Sequence, residues 1–415
     1  MRVVSEGILA ERLGVIDHSS PRIVVSGNFA TPWELLQVVN STLSQYRLFG
    51  LNPQPGWPWR EGVVTETPFV GPGVRHDPWL DYLPMRLSLV PRLFDSLRPP
   101  DVVLIHASIP RGGKVSLGIE VNILPAAIER VRQRGGLVVA QLNPSMPYTY
   151  GDGEISLDEI DLAVEVESEL LSPSPRVVDD AAITVGERAA GYATDGGTIQ
   201  LGIGQLPDAA ARSLRMRRGL GIWSEMVSDG VMELDRAGAL DPVRQICASF
   251  LFGSAEVYRW ANENPRLLMR RTEVVNDPAR IAAQPAMLSI NTALEVDLFA
   301  QANACSIGGS VYSGLGGQPD FVVGALHSID GHAVIALRSW HERSGSSTIV
   351  PLIQTPVSTF QHSVVVTDVG QAEIFGRSQC AQAWLLIEQT ADPRARAALW
   401  EAAGQLGLVR STTWN

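Results

Sequence analysis

The stretch 195–230, DGGTIQLGIGQLPDAAARSLRMRRGLGIWSEMVSDG, constrains this chain more than any other. It opens on a turn, Asp195-Gly196-Gly197. In residues 198–203 Thr198, Gln200 and Gly202 alternate with Ile199, Leu201 and Ile203, which predicts a strand. Gly202-Ile203-Gly204 breaks that strand with a loop lacking side chains at two of three positions. Pro207-Asp208 then opens a helix running to Arg218, because Pro is tolerated in a first turn and Asp suits the N-terminal dipole. The apolar run 220–223 predicts a second strand that stops at Ser224-Glu225. A strand–helix–strand unit makes its two strands parallel. The glycine loop and Glu225 then lie together at the carboxyl ends of their strands, the edge where open parallel sheets bind ligands.

Locally the pattern has two readings. A Gly-x-Gly after a strand is a tight turn as readily as a ligand loop, and a single Glu at a strand end is often a solvated loop residue. The third glycine of a dinucleotide fingerprint is missing, and so is a Gly-Lys-Ser phosphate loop.

Strand and helix patterns alternate along the rest of the chain, which predicts two α/β domains. The boundary is placed at Ser172-Pro173-Ser174-Pro175, giving domains 1–172 and 173–415. In the first domain, 22–26 predicts a strand, 33–48 a helix and 101–106 a buried strand ending at His106. Residues 123–134 predict a helix and 136–142 a strand ending at Asn143. Residues 50–80, rich in Pro, Gly and Trp, predict an irregular cover over a site or an interface. Gly27-Asn28 reads as turn chemistry or as a substrate-facing loop; Asn143 either satisfies loop backbone or lines the site. His106 is given no role. In the second domain, 178–193 predicts a helix, and 321–325, 333–337 and 363–366 predict strands. Residues 394–406 predict a terminal helix.

The net charge of −11 argues against a nucleic-acid partner, whose phosphates call for a basic face. Lys114 is the single lysine, and the other basic residues are Arg. Cys247, Cys305 and Cys380 lie far apart with no metal-ligand spacing, so free thiols in a reducing cytoplasm are expected, with no metal site. Neither a signal core nor an apolar run of membrane-spanning length is read from the sequence.

IQLGIGQLPDA followed by LGIWSEMVSDGVMEL resembles the acetyl-CoA hydrolase/transferase family of class I CoA-transferases. Three further blocks carry the same resemblance in the same order: LNPSMPYTYGD (142–152), SINTALEVDLFAQ (289–301) and YSGLGGQPDF (312–321). The resemblance implies two related open α/β domains with the site in the cleft between them. It also implies a homodimer. Acyl-CoA and small carboxylic acids would be the substrates. Coenzyme A would be a substrate rather than a resident cofactor. Glu225 aligns with the family's nucleophile, which fits the chemistry, since a carboxylate attacking a thioester gives a mixed anhydride of similar energy. The implied route is ping-pong through a glutamyl-CoA thioester. Asn291 would be an amide partner of the nucleophile. Gly202 and Gly204, with Gly314, Gly316 and Gly317, would approach coenzyme A or donate backbone N–H groups to an oxyanion. Asp368 stands where the family has Glu and is one methylene shorter.

Two departures stand out. Trp223 replaces a family His two residues before the nucleophile, either as core or as a wall of the acyl pocket. Arg338 and Arg343 remain where the family carries lysines. Hydrolysis on the same scaffold is an alternative outcome, and a non-catalytic binder a third. A sugar-phosphate isomerase would need a basic phosphate cluster that the sequence lacks.

Overall fold

The computed structural model describes residues 1–16, 18–174, 178–357 and 361–409. Pro175 of the expected linker lies outside the described residues.

The first sheet takes strands β1 (Arg2–Val3), β2 (Arg22–Val25), β3 (Tyr46–Phe49), β4 (Val63–Thr67), β5 (Leu80–Tyr82), β6 (Val102–Ala107), β7 (Leu137–Leu142) and β8 (Leu162–Glu165). Their spatial order is β1-β8-β7-β6-β2-β3-β4-β5, and every pairing is parallel. The central strands VVLIHA and LVVAQL are buried along their whole length, as parallel strands covered on both faces must be.

The second sheet takes β9 (Thr198–Leu201), β10 (Gly221–Ile222), β11 (Met287–Thr292), β12 (His332–Ala336), β13 (Val364–Val366) and β14 (Gln371–Glu373). The order is β10-β9-β11-β12-β13-β14, parallel except for the last pair. The expected β9–helix–β10 unit is therefore present, with its helix at Gln205–Ser213.

The two halves share a core. One apolar cluster runs from Val24, Val103 and Val138 of the first sheet to Ile199, Leu288 and Val334 of the second. A short strand of the first half, Tyr150–Gly151, also pairs with Leu267–Met269 of the second.

Three expectations need correction. The helix read over 33–48 ends at Thr42, and Tyr46–Phe49 is a strand. Two of its side chains, Leu48 and Phe49, are fully buried in the sheet, so tertiary burial overrides the helical pattern. Residues 50–80 are not wholly irregular, because β4 lies within them. The apolar run 321–325 is not a strand but part of the helix Gln318–His327. Pro319 sits in the first turn of that helix, where its missing N–H costs nothing. A short apolar run buried all round cannot be told from a strand by periodicity alone.

Candidate active site

Gly204 adopts φ 129° immediately before the helix Gln205–Ser213, a conformation open to glycine and little else. Its turn directs the chain from β9 into that helix. Glu225 lies between β10 and a second short strand, Met226–Val227, and its carbonyl accepts the N–H groups of Ser249 (2.8 Å) and Phe250 (3.1 Å). That pinned backbone projects the carboxylate into a cavity of about 170 Å³ lined also by Phe69, Gln200, Asn291 and the 313–318 loop. Phe69 belongs to the first half and Glu225 to the second, so the site lies where the halves meet.

The glycine loop is pressed against both. Val70 N–H donates to the Ser313 carbonyl (2.8 Å), and Leu87 N–H donates to the Gly316 carbonyl (3.0 Å). Gly316 has φ 55°. A Cβ on Gly314 would overlap the Pro68 carbonyl, and one on Gly317 would overlap the Glu225 carboxylate itself. Gly317 instead turns its backbone N–H to Glu225. The 314–317 loop thus lines the cavity with Glu225, whereas Gly204 turns the chain into the helix and does not line that cavity. Gly202 lines the same cavity, although a Cβ there would make only ordinary contacts.

Burial pushes the Glu225 carboxyl up to about 7, and the nearby Asp320 charge adds to this. The Asn276 amide and the Gly317 N–H act in the opposite direction. Asn276 Nδ2 donates to Glu225 Oε2 at 2.8 Å. The amide on the nucleophile candidate is therefore Asn276, which the sequence did not single out. Asn291 lines the cavity but is bonded elsewhere: its Nδ2 donates to Ser289 Oγ (2.8 Å) and Gln200 Oε1 (3.2 Å). Asp320 is fully buried, accepts Ser88 Oγ–H (2.8 Å) and Ser88 N–H (3.1 Å), and burial pushes it up to about 6.

A third carboxyl raised by burial, Glu120, comes from the first half. It is 1% exposed, and burial pushes it up to about 7. Its signal in the sequence is a lone acid inside an apolar run, SLGIEVNIL.

The other expected residues fall elsewhere. Asp368 is taken up by Ser339, whose N–H (2.6 Å) and Oγ–H (3.0 Å) both donate to it, and it does not line the Glu225 cavity. Trp223 packs against the second half's own apolar cluster and donates its indole N–H to the Val275 carbonyl (2.9 Å). Asn143 Nδ2 donates to the Ser168 carbonyl (2.9 Å) and to His106 Nε2 (3.1 Å), and its Oδ1 accepts Ser145 N–H (3.0 Å). Of its two readings, loop satisfaction is the one present. Burial holds His106 down at about 4, a neutral core imidazole. Asn28 reaches inward to Glu120, so Gly27-Asn28 is more than a turn.

A wider opening of about 690 Å³ leads to Phe69 and Ile203 from outside. Arg75 stands in it, its guanidinium 3.7 Å over the Tyr312 ring. Arg338 is paired with Asp179 (2.8 Å) and hydrogen-bonded to Gln205 (3.1 Å). Among the described residues there is no cluster of metal-binding side chains and no helix long and apolar enough to cross a membrane.

Residues 253–403 match the model of the acetyl-CoA hydrolase/transferase C-terminal domain. The chain is 38% identical over 331 residues to 4-hydroxybutyrate coenzyme A transferase of Clostridium kluyveri, covering 77% of this chain and 76% of that one. It is 33% identical over 407 residues to succinyl-CoA:acetate/propanoyl-CoA:succinate CoA transferase of Fasciola hepatica, covering 92% and 84%. The solved structure of 4-hydroxybutyrate CoA-transferase from Porphyromonas gingivalis superposes with a TM-score of 0.82 at 28% identity, covering 98% of each chain.

Proposed function

The chain belongs to the acetyl-CoA hydrolase/transferase family, and from that premise we propose that it carries coenzyme A from an acyl-CoA to a carboxylic acid through Glu225. One observation carries the reading: Glu225, the one carboxylate among the residues lining this cavity between the halves, is held there by one amide and one backbone N–H.

The chemistry follows from that placement. A Glu225 oxygen attacks the thioester carbonyl, the C–S bond breaks, and coenzyme A leaves as thiolate. The resulting mixed anhydride joins the acyl group to Glu225. The thiolate then attacks the glutamyl carbonyl, releasing the first acid as carboxylate and leaving a glutamyl-CoA thioester. The acceptor carboxylate reverses both steps, regenerating Glu225 and a new acyl-CoA. Each tetrahedral intermediate carries an oxyanion, and the N–H groups of the 314–317 loop, which lines the same cavity, would be its donors. Asn276 holds the carboxylate in line without ionising. The wide opening would take the cofactor's pantetheine arm past Gly202 and Gly204, with Arg75 at its rim to meet phosphate. The domain division at 172/173, a homodimer and a cytoplasmic location belong to the same proposal; Asn291 enters it as a wall of the cavity, while Asp368 stays with Ser339 and takes no part.

The test is incubation with acyl-CoA and no acceptor acid. Coenzyme A should accumulate on the peptide that follows Arg218 and carries Glu225. Adding a carboxylic acid should discharge it as new acyl-CoA, and borohydride should fix the mark on Glu225. Steady release of free coenzyme A and free acid without an adduct would replace transfer by hydrolysis. No adduct and no turnover with any acyl-CoA would leave a binding protein.

A further inference from the structure

Asn276 holds Glu225 in an orientation that does not suit its own oxygen. Its Nδ2 donates to Glu225 Oε2 (2.8 Å), and the same amide helps to hold the Asp320 carboxyl down. Its Oδ1 is buried with no hydrogen-bond partner among the described residues. An orphaned acceptor costs free energy, so something must keep the amide this way round. Two carboxylates on the nitrogen side do so, because the turned amide would set its oxygen against both. Glu225 and Asp320 therefore share one amide.

Asp320 is anchored from the other half. It lies in the first turn of the helix Gln318–His327 and is fully buried. Ser88 Oγ–H donates to Asp320 Oδ1 (2.8 Å) and Ser88 N–H to Oδ2 (3.1 Å), with an Arg86 nitrogen 3.7 Å from Oδ1. Leu87, between the two, donates its N–H to the Gly316 carbonyl. The turn Leu87–Leu89 also packs on the helix Thr272–Val275, whose next residue is Asn276. A carboxyl gripped in this way stays in place, and it does not line the cavity.

We propose that Asp320 is a positioning residue for the transfer: held by Ser88 and Arg86 of the first half, it shares the Asn276 amide with Glu225 and sets a fixed negative charge behind it. The inference rests on Glu225 attacking the acyl-CoA. Attack moves charge from Glu225 to the departing thiolate and leaves Glu225 in a neutral anhydride, so an anion behind it favours the step. Two other charged groups bear on the pair. Glu120 acts on Glu225 from the first half with the same sign as Asp320, and Arg86 steadies the Asp320 charge. Asp320 acts through Glu225 and touches no substrate.

The experiment follows kcat/KM and the coenzyme A adduct from about pH 5.5 to 8 in the wild type, Asp320→Asn, Ser88→Ala and Asn276→Ala. Asp320→Asn keeps the shape and removes the charge, so the midpoint of the acid limb should fall by about half a pH unit or more. The plateau in kcat should drop a few-fold, because a less basic carboxylate attacks more slowly, while KM for the acyl-CoA should hold. Ser88→Ala weakens the grip on the charge and should move the midpoint the same way by less. Asn276→Ala takes a donor from Glu225 and should move it upward. A merely structural Asp320 would lower activity at every pH and leave the midpoint in place. That result, or a rise in Asp320→Asn, would overturn the inference. If Asp320→Asn does not fold, Ser88→Ala decides by the same sign. A wild type labelled on Glu225 with unmoved midpoints in the Asp320 and Ser88 variants leaves the Glu225 reading standing, and Asp320 alone falls. A wild type with neither adduct nor turnover brings down the Glu225 reading and this inference with it.

Discussion

The two halves each bring a buried carboxyl to their junction, and the two have opposite fates. Glu120, from the first half, accepts an amide N–H at each oxygen and is closed off from the cavity. Glu225, from the second half, is half-buried, accepts from Asn276 and Gly317, and forms part of the cavity wall. Burial pushes both up to about 7. Burial and a displaced pKa therefore do not separate the two carboxyls; what separates them is that Glu225 lines the cavity. The first half supplies fixed polarity and the second supplies a carboxylate with somewhere to go.

The largest expected effect breaks that contrast at Glu225. Glu225→Gln keeps the shape and removes the anion, so transfer should fall by at least about 10³-fold, with little change in folding. Glu120→Gln should still form the covalent coenzyme A adduct, while losing about 1–3 kcal/mol of stability from its mismatched amides. Adduct mass and thermal melts on both variants decide it. An adduct on a folded Glu225→Gln protein would reverse the assignment.

Next comes the loop that crowds Glu225. A Cβ at Gly317 would occupy the space of the Glu225 carboxylate and of Asn276 Nδ2. Gly317→Ala should thus displace the carboxylate and cost about 10²-fold in kcat, the scale of an ångström's misplacement at a reacting group. Gly202→Ala is the control, since its Cβ would meet nothing closer than 3.6 Å. Equal losses in the two variants would mean that the loop matters for folding rather than for the carboxylate.

The third effect is on pH. Glu225 must be anionic to attack, so kcat/KM should rise about tenfold per pH unit below pH 7 and level off above it. Stability runs the other way. Both carboxyls have folded values raised from 4.5 to about 7, so their protonated forms favour folding. That contribution is fully present below about pH 4.5 and is lost as the pH rises through 7. Glu225→Gln should flatten the stability profile over this window by its own share, and Glu120→Gln should do the same without moving the pH–rate midpoint far. A rate profile unchanged between pH 5.5 and 8 would contradict an anionic Glu225 with that titration.

Much of the second half was readable because its strand–helix–strand unit is local: Gly204, Pro207 and Glu225 lie within about two dozen residues and obey short-range rules. The first half was harder. Its strands Tyr46–Phe49 and Val63–Thr67 owe their form to neighbours distant in sequence, which periodicity does not record. The same holds within the site. Asn276 reaches Glu225 across 51 residues, and Asn28 reaches Glu120 across 92. Asn291 carried the family pattern and does reach the cavity, but the bond expected of it is made by Asn276. Asp368 matched a position in a motif, and its carboxylate is spent on Ser339.

The smallest effect concerns Trp223, which the sequence left between core and pocket. Its indole N–H bonds the Val275 carbonyl, and the next residue, Asn276, holds Glu225. Its ring packs into the second half's own cluster, and it lines none of the cavities that contain Glu225. Trp223 is thus linked to Glu225 through two hydrogen bonds, its own to Val275 and that of Asn276. Trp223→Phe keeps an aromatic ring and deletes the donor, which should cost about 1 kcal/mol of stability. Since the Asn276 contact would loosen without breaking, kcat should drop only a few-fold and KM should hold. Trp223→His restores a ring N–H and should recover part of the kcat while melting lower, because the smaller ring leaves a void. Acyl preference should be the same in all three proteins. A shift in preferred chain length would place Trp223 against the substrate after all, and a kcat untouched in Trp223→Phe would show that the Val275 bond holds the turn without tuning Glu225.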